Sequence, residues 1–528
     1  MASTTVAPNR LFYGDNLDVL RRHIANESVD LVYLDPPFNS NRNYNVLFGR
    51  HVKTGATDAA QIQAFGDTWV WTPATDRQYA GLMSGELPTR VADALSAMHT
   101  LIGENDAMAY LVNMAPRLLE LHRVLKPTGS LYLHCDPTMS HYLKLILDAI
   151  FGPDGFRNEV IWKRTPFSGS SKARALQLPK SHDVILFYSK GSHWTWHPPT
   201  NPYSDLYLQR FRWKDERGPY RKSLLKTYSA ETLNRLRTED RLIEPTRPGA
   251  NYSYKQYLSE SSGTVQIDDT WVDIHSINPV AKERLGYPTQ KPVALLERII
   301  QASSDPGDVV LDPFCGCGTT VDASVRLDRR WIGIDITYIA VDLIEKRLEH
   351  TYSKEIKSTY EVLGIPRDPA GAQALFDHSP FDFERWAVSL VNAQPNEKQV
   401  GDKGIDGVAR FPTDAKGGIG RVLVSVKGGK TIGPQFARDL LGTVQTQKAD
   451  MGVLVTMADV TRGTDDAVNH AGTYTLTANG QSFPKIQVMT IKQLLAGKRP
   501  QMPLTFLPYI QASRLSAPAG EQSPMFDI

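Results

Sequence analysis

Asp35-Pro36-Pro37-Phe38 ends the apolar run Val29–Leu34, and its residue types suit the capture of an amino group. Two consecutive prolines remove two backbone donors and stiffen the chain. The Asp35 carboxylate and the Pro36 carbonyl are then presented as acceptors beside the Phe38 ring. An amino group on a planar heterocycle needs those partners, although the tetrapeptide alone is also a plain strand-ending turn. A second candidate is Val309-Val310-Leu311-Asp312-Pro313-Phe314-Cys315-Gly316-Cys317-Gly318-Thr319-Thr320, a buried-strand pattern running through a glycine turn into a helix. Glycines at 316 and 318 let the backbone turn sharply and approach a ligand closely. The third glycine of GxGxxG and the lysine of a phosphate-binding loop are both missing, which argues against a pyrophosphate. A further strand pattern, Arg330–Ile334, ends in Asp335, where a carboxylate suits ribose hydroxyls.

Together these residues resemble the amino-group S-adenosylmethionine-dependent DNA methyltransferases. Phe314, Gly316 and Gly318 match the FxGxG cofactor motif of that family, and residues 35–38 match its (D/N/S)PP(Y/F/W) catalytic motif. Tyr13-Gly14-Asp15-Asn16 matches its GD element, and Tyr287-Pro288-Thr289-Gln290-Lys291-Pro292 before an amphipathic helix matches its QKP element. The catalytic motif precedes the cofactor motif with a long segment between, which resembles the beta-class arrangement; the likeness covers roughly residues 10–350. It implies S-adenosylmethionine as cofactor, with Asp15 at the adenine amine, Asp335 at the ribose, Asp312 near the methionine ammonium and Lys291 near its carboxylate. Phe314, Gly316, Gly318 and Thr319 would form the loop. Asp312 is alternatively a cap of the following turn, and Lys291 alternatively a solvated lysine.

The resemblance further implies direct in-line methyl transfer to an exocyclic base nitrogen, with no covalent enzyme intermediate. Asp35 and the Pro36 carbonyl, held rigid by Pro37, would localise the lone pair of a poorly nucleophilic amine, and Phe38 would stack on a base flipped from the duplex. Asp at the first motif position favours adenine N6; cytosine N4 is the alternative. The Asn-rich stretch Asn39–Asn45 either closes over the base or is a surface loop. Cys315 and Cys317 are expected as small packing residues.

Such residues must be positioned by an α/β fold: an open, doubly wound, mostly parallel sheet of the class I methyltransferase type, with ligands at the carboxyl ends of strands. Apolar runs predict strands at Leu31–Leu34, Ser130–His134, Val184–Tyr188, Val309–Leu311 and Trp331–Ile334. Helical periodicity appears at Met108–Val124, His141–Ile150, Pro292–Ser303 and Ile339–Glu349. The expected divisions are a catalytic half (1–155), a target-recognition region (156–275), a cofactor-binding half (276–351), a linker (352–379), a second α/β domain (380–500) and a tail (501–528), disordered at its end.

The 528 residues carry a net charge of only +2, so no nucleic-acid role follows from global charge. Between Arg157 and Lys226, however, fourteen Lys and Arg stand against five Asp and Glu. Aromatics interleave them, making Trp162, Lys163, Arg164, Arg210, Arg212, Trp213 and Lys214 candidates for phosphate contact and base stacking on double-stranded DNA; a solvated basic face is the alternative. Three cysteines exclude a disulfide scaffold and make a zinc site unsupported. An amino terminus without an apolar core and the lack of any membrane-spanning run predict a cytoplasmic location without membrane contact.

After residue 380, a helical pattern with Glu384, the sequence Gly404-Ile405-Asp406-Gly407 and the strand Arg421–Lys427 resemble the Mrr-like branch of the PD-(D/E)xK nuclease fold. The resemblance implies a Mg²⁺ site in which Asp406 is the metal ligand and Glu384 and Lys427 assist. Ser425 departs from it, standing where the pattern has Glu or Gln, so a domain kept for DNA binding or dimer contact is the competing expectation. A methyltransferase of restriction-modification or defence leads. The alternatives are a nuclease whose front half recognises and marks its site, a non-catalytic DNA-binding scaffold, and an RNA substrate. Homodimerisation and restriction or defence partner subunits are compatible with each.

Overall fold

The computed structural model describes residues 8–505 apart from 38–41, 49–59, 68–69, 166–177, 179, 248, 279–280, 282, 286, 288, 396–403, 414–417 and 430–431. The chain forms two compact units, one of residues 1–195 with 272–528 and the other of residues 196–271.

The larger unit contains the expected sheet. Eight of its nine strands are β1 (Asn9–Tyr13), β2 (Val29–Leu34), β3 (Leu125–Cys135), β4 (Phe156–Lys163), β5 (His182–Ser189), β6 (Val309–Asp312), β7 (Arg330–Asp335) and β8 (Tyr360–Leu363). Their spatial order is β4-β5-β3-β2-β6-β7-β1-β8. From β3 to β8 every pairing is parallel, whereas β5 runs antiparallel to both β3 and β4. All six residues of β2 are buried, as a strand covered by helices on both faces requires.

The helices that matter to the site are α1 (Asn16–His23), α2 (Asp106–Val124), α3 (Ser140–Phe151), α4 (Val293–Ser303), α5 (Thr319–Arg326) and α6 (Tyr338–Tyr352). On α4, Leu295, Leu296, Ile299 and Ile300 are fully buried at helical spacing, each contributing about 1.5–3 kcal/mol of apolar burial. That stripe fixes where the preceding Gln290-Lys291-Pro292 segment meets the sheet.

Segment 352–379 does more than link. Tyr360–Leu363 adds a parallel strand at the edge beside β1, and Pro369–His378 is a helix with Asp368 as its cap. A second sheet follows, made of Gln394–Pro395, Gly407–Pro412, Ile419–Lys427, Met451–Thr456 and Ile486–Thr490 in that order. It packs under α7 (Pro380–Leu390), whose Phe383, Trp386, Ala387 and Val388 enter a core that also takes in Tyr338 of α6.

The smaller unit has a four-stranded antiparallel sheet, a two-stranded pair and the helix Ala230–Thr238. Among the described residues no helix is long and apolar enough to cross a membrane.

Candidate active site

β1, β7, β6 and β2 are consecutive parallel neighbours, and each delivers a carboxylate at or just beyond its carboxyl end: Asp15, Asp335, Asp312 and Asp35. The catalytic and cofactor motifs, far apart in sequence, are thus adjacent, with Leu31 paired to Val310 and Val32 to Leu311. All four acids line one cleft of 460 Å³, within the range of small-molecule sites. Pro37, Phe314, Gly316, Thr319 and Lys291 line it too. Burial, and then neighbouring carboxylates, push Asp312 up to about 7; burial pushes Asp335 up to about 6. A cleft floored by acids that are costly to ionise favours a cationic ligand.

The glycine loop is held by those acids. Asp312 accepts from the Phe314 amide at 3.0 Å and from the Thr320 hydroxyl at 2.5 Å, so it shapes the turn as a cap does. Asp335 accepts from the Gly316 amide at 2.9 Å and from both the amide and hydroxyl of Thr337 at 2.8 Å. Gly316 and Gly318 have φ of +48° and +73°, and a Cβ on Gly318 would lie 2.7 Å from the Ile344 side chain. Cys315 and Cys317 are buried free thiols with raised pKa, fitting packing residues.

Asp15 caps α1 through the Leu17 amide and pairs with Arg117 at 2.6 Å. Arg117 also donates to Asn16 at 2.7 Å, and Asn16 donates to the Pro313 carbonyl at 2.8 Å, tying the first strand end to the glycine loop. Asn16 was legible only as part of its motif, and Arg117 only as an arginine amid the apolar residues of α2. Tyr287 was legible only as part of its motif. It is buried against Gly316, with 3.3 Å between its ring and a Cβ built there.

At the catalytic motif Asp35 and Pro37 line the cleft and Pro36 is buried; Phe38 and residues 39–41 lie outside the described residues. One Asp35 oxygen, Oδ2, pairs with Lys291. Lys291, expected near the cofactor's carboxylate, is thus found paired with Asp35. The other oxygen, Oδ1, is buried and has no hydrogen-bond partner among the described residues. A vacant buried acceptor costs free energy unless a donor arrives, which is the condition an incoming amino group satisfies.

Beneath Asp35 lies a buried chain. The Tyr33 hydroxyl and His134 Nδ1 are 3.0 Å apart, His134 Nε2 is 3.2 Å from Asp183, and Arg164 is 3.0 Å from the other Asp183 oxygen. Burial lowers the pKa of His134. Trp162, expected at DNA, is 1% exposed; it stands edge-on to His134 and donates to the Ile274 carbonyl at 2.7 Å. Trp162, on β4, thus packs against His134 of β3, and Arg164, just past the end of β4, pairs with Asp183 of β5. Strand alternation put Tyr33 on the side of Asp35, a signal that could have found it.

In the smaller unit Arg210, Arg212 and Lys214 are exposed. Trp213 is covered by its own cations, with Arg212 at 4.4 Å and Lys222 at 4.9 Å from its ring. In the second sheet Lys427 is 3.8 Å from Asp406, which also accepts from the Val426 amide, and Glu384 lies half-buried on α7. The Ser425 hydroxyl is turned to the Gly404 carbonyl at 2.8 Å. Among the described residues no group of three or more His, Cys, Asp or Glu is placed to hold a metal ion.

Residues 29–346 match the family model of the N6/N4 DNA methylases, and residues 382–496 match that of the NACHT-associated inactive restriction endonuclease 1. The type II methyltransferase M.EcaI of Enterobacter cloacae is 26% identical over 371 residues, covering 65% of this chain and 70% of that protein. The Mod subunit of the type III restriction-modification enzyme StyLTI of Salmonella typhimurium is 27% identical over 394 residues, covering 67% and 55%. Among solved structures, the cytosine-N4-specific PvuII DNA methyltransferase aligns over 67% of this chain and 92% of its own at 15% identity, with a TM-score of 0.32. The chain belongs to the N6/N4 DNA methylase family, joined to a domain of the inactive restriction-endonuclease type.

Proposed function

We propose that the chain methylates the exocyclic N6 of an adenine flipped out of double-stranded DNA. The observation that carries this reading is the buried, unsatisfied Asp35 Oδ1 in the same cleft as the glycine loop. S-adenosylmethionine, when bound, supplies an electrophilic methyl on a cationic sulfur. Asp15, Asp335, Gly316 and Gly318 would hold its nucleoside portion. Asp35 accepts an N–H of the base amine, which turns the nitrogen lone pair toward the methyl, and its negative charge then offsets the positive charge that develops on nitrogen as the N–C bond forms and the methyl–sulfur bond breaks, leaving the electron pair on sulfur. The proton released from the nitrogen passes to Asp35 and on to solvent. Tyr33, anchored through His134 and Asp183, keeps the floor beneath Asp35 fixed.

Adenine is favoured over cytosine because the first motif residue is Asp, whereas Ser is the more frequent residue in the cytosine-N4 enzymes that this family also contains. Mass spectrometry of nucleosides from DNA methylated in vitro is the test. N6-methyladenine is expected, and N4-methylcytosine as the sole product overturns the assignment. The exposed Arg210, Arg212 and Lys214 are assigned to DNA phosphates. The second sheet is assigned a non-cleaving role, supported by Ser425 and by the match to an inactive restriction-endonuclease model; Mg²⁺-dependent cutting of modified or unmodified DNA would refute it.

A further inference from the structure

The cleft has a wall that no methyltransferase motif supplies. Beside Gly14, Asp15, Asp335 and Thr337 it is lined by Asp382 and Arg385, one turn apart on α7 of the second domain. These two residues lie at the end of the cleft where β1 and β7 terminate, away from Asp35 on β2.

The position of α7 is built in from both sides. Burial, and then the neighbouring Asp382 carboxylate, raise the pKa of the Tyr13 hydroxyl at the end of β1, and Asp382 accepts from the Ser379 hydroxyl at 2.8 Å. The Tyr13 ring stands edge-on to Tyr338 at 6.1 Å, and Tyr338 is buried in the same core as Phe383 and Trp386 of α7. Arg385 is largely buried, with its guanidinium 4.0 Å above the Phe381 ring, so its head group is fixed and little entropy remains to be lost on contact. Ile336 lines the same end and is 59% exposed, an apolar surface open to a ring.

We infer that α7 completes the cofactor site, with Asp382 and Arg385 acting as binding residues for the adenosine end of S-adenosylmethionine. This rests on the cleft being the cofactor site. Asp382 offers a carboxylate to a ribose hydroxyl or the adenine amine, and Arg385 offers a planar cation to the purine face or its ring nitrogens. A domain of nuclease ancestry thereby acts as part of the methyl-donor pocket. Any event on that domain that displaces α7 changes cofactor affinity, and cofactor binding acts back on the domain by the same factor.

The test uses the full-length protein and titration calorimetry with two probes, S-adenosylmethionine and 5′-methylthioadenosine, which share the adenosine end and differ at the methionine end. Arg385→Ala and Asp382→Asn are expected to weaken both probes by a similar factor, roughly tenfold. His378→Ala, exposed at the end of the preceding helix, is expected to leave both unchanged. Arg385→Gln, which keeps most of the side chain's packing, replaces Arg385→Ala if thermal unfolding shows the latter misfolded. A parent that binds both probes, with folded variants that bind them within twofold of it, overturns the inference and leaves the cofactor site standing. A parent that binds neither overturns the cofactor reading itself.

Discussion

The Asp35 carboxylate divides its labour between an ion pair and a vacancy, and the two oxygens should answer differently to mutation. Asp35→Asn keeps the shape but turns an acceptor into a group that is half donor. Methyl transfer in single-turnover assays is expected to fall by about 10²–10³-fold, with cofactor binding retained. Loss of both together would place Asp35 in the donor site instead. The raised carboxylates give a pH signature whose sign is fixed. A folded-state pKa above the unfolded one contributes stability that is complete below the unfolded value near 3.8 and is lost as pH rises through about 6 for Asp335 and about 7 for Asp312. The ligand-free protein should therefore lose this contribution in melts between about pH 4 and 7, while affinity for a cationic cofactor rises across the same window. At this scale the motif acids were legible because each sits where an apolar run stops. Arg117, His134 and Asp183 were not, since what makes them matter is a partner about 50 to 100 residues away.

Elements place those residues with little slack. Gly318 opens α5 with a positive φ, and Ile344 from α6 fills the space a side chain would need. Gly318→Ala is expected to cost about 1–3 kcal/mol in denaturant unfolding and to weaken cofactor binding, because both the strain and the clash act on the loop. β4 offers a contrast with the smaller unit. Trp162→Ala, which empties a buried site, should cost about 3–5 kcal/mol of stability. Arg212→Ala and Lys214→Ala should leave stability nearly unchanged and each reduce the salt slope of DNA binding by roughly one. An unaltered slope would remove those two from the DNA interface. The basic, aromatic composition of this stretch was visible in the sequence, but composition could not separate a sheet strand with inward aromatics from a surface that keeps its cations in water. Segment 352–379 was hidden for a related reason: Pro366, Pro369 and Gly371 mark a turn and a helix start, and drew attention away from the short strand before them.

Within the larger unit each sheet has its own core, and the core of the second takes in Tyr338 from the first. The parallel sheet was legible from its continuous apolar runs, and so was the α/β character of the second domain. Their fusion was not, because it depends on Tyr13, Tyr338 and α7 meeting in space. Consistent with a second domain that binds without cutting, Lys427→Ala should change neither DNA integrity in Mg²⁺ nor methyl transfer, as read on supercoiled plasmid and by nucleoside mass spectrometry. Nicking by the parent that the variant lacks would restore a hydrolytic role to Asp406 and Lys427.

The row of carboxylates on four neighbouring strand ends also bears on turnover. Once a methyl group has gone to the base, the sulfur that carried it is neutral, and the spent product presents one positive charge fewer to Asp312 and its neighbours than the donor did. The same acids that draw the donor in thus have less to hold afterwards. Under the proposed function, strand order biases the cleft toward exchanging used cofactor for fresh, and relief from product inhibition becomes a property of the sheet's topology.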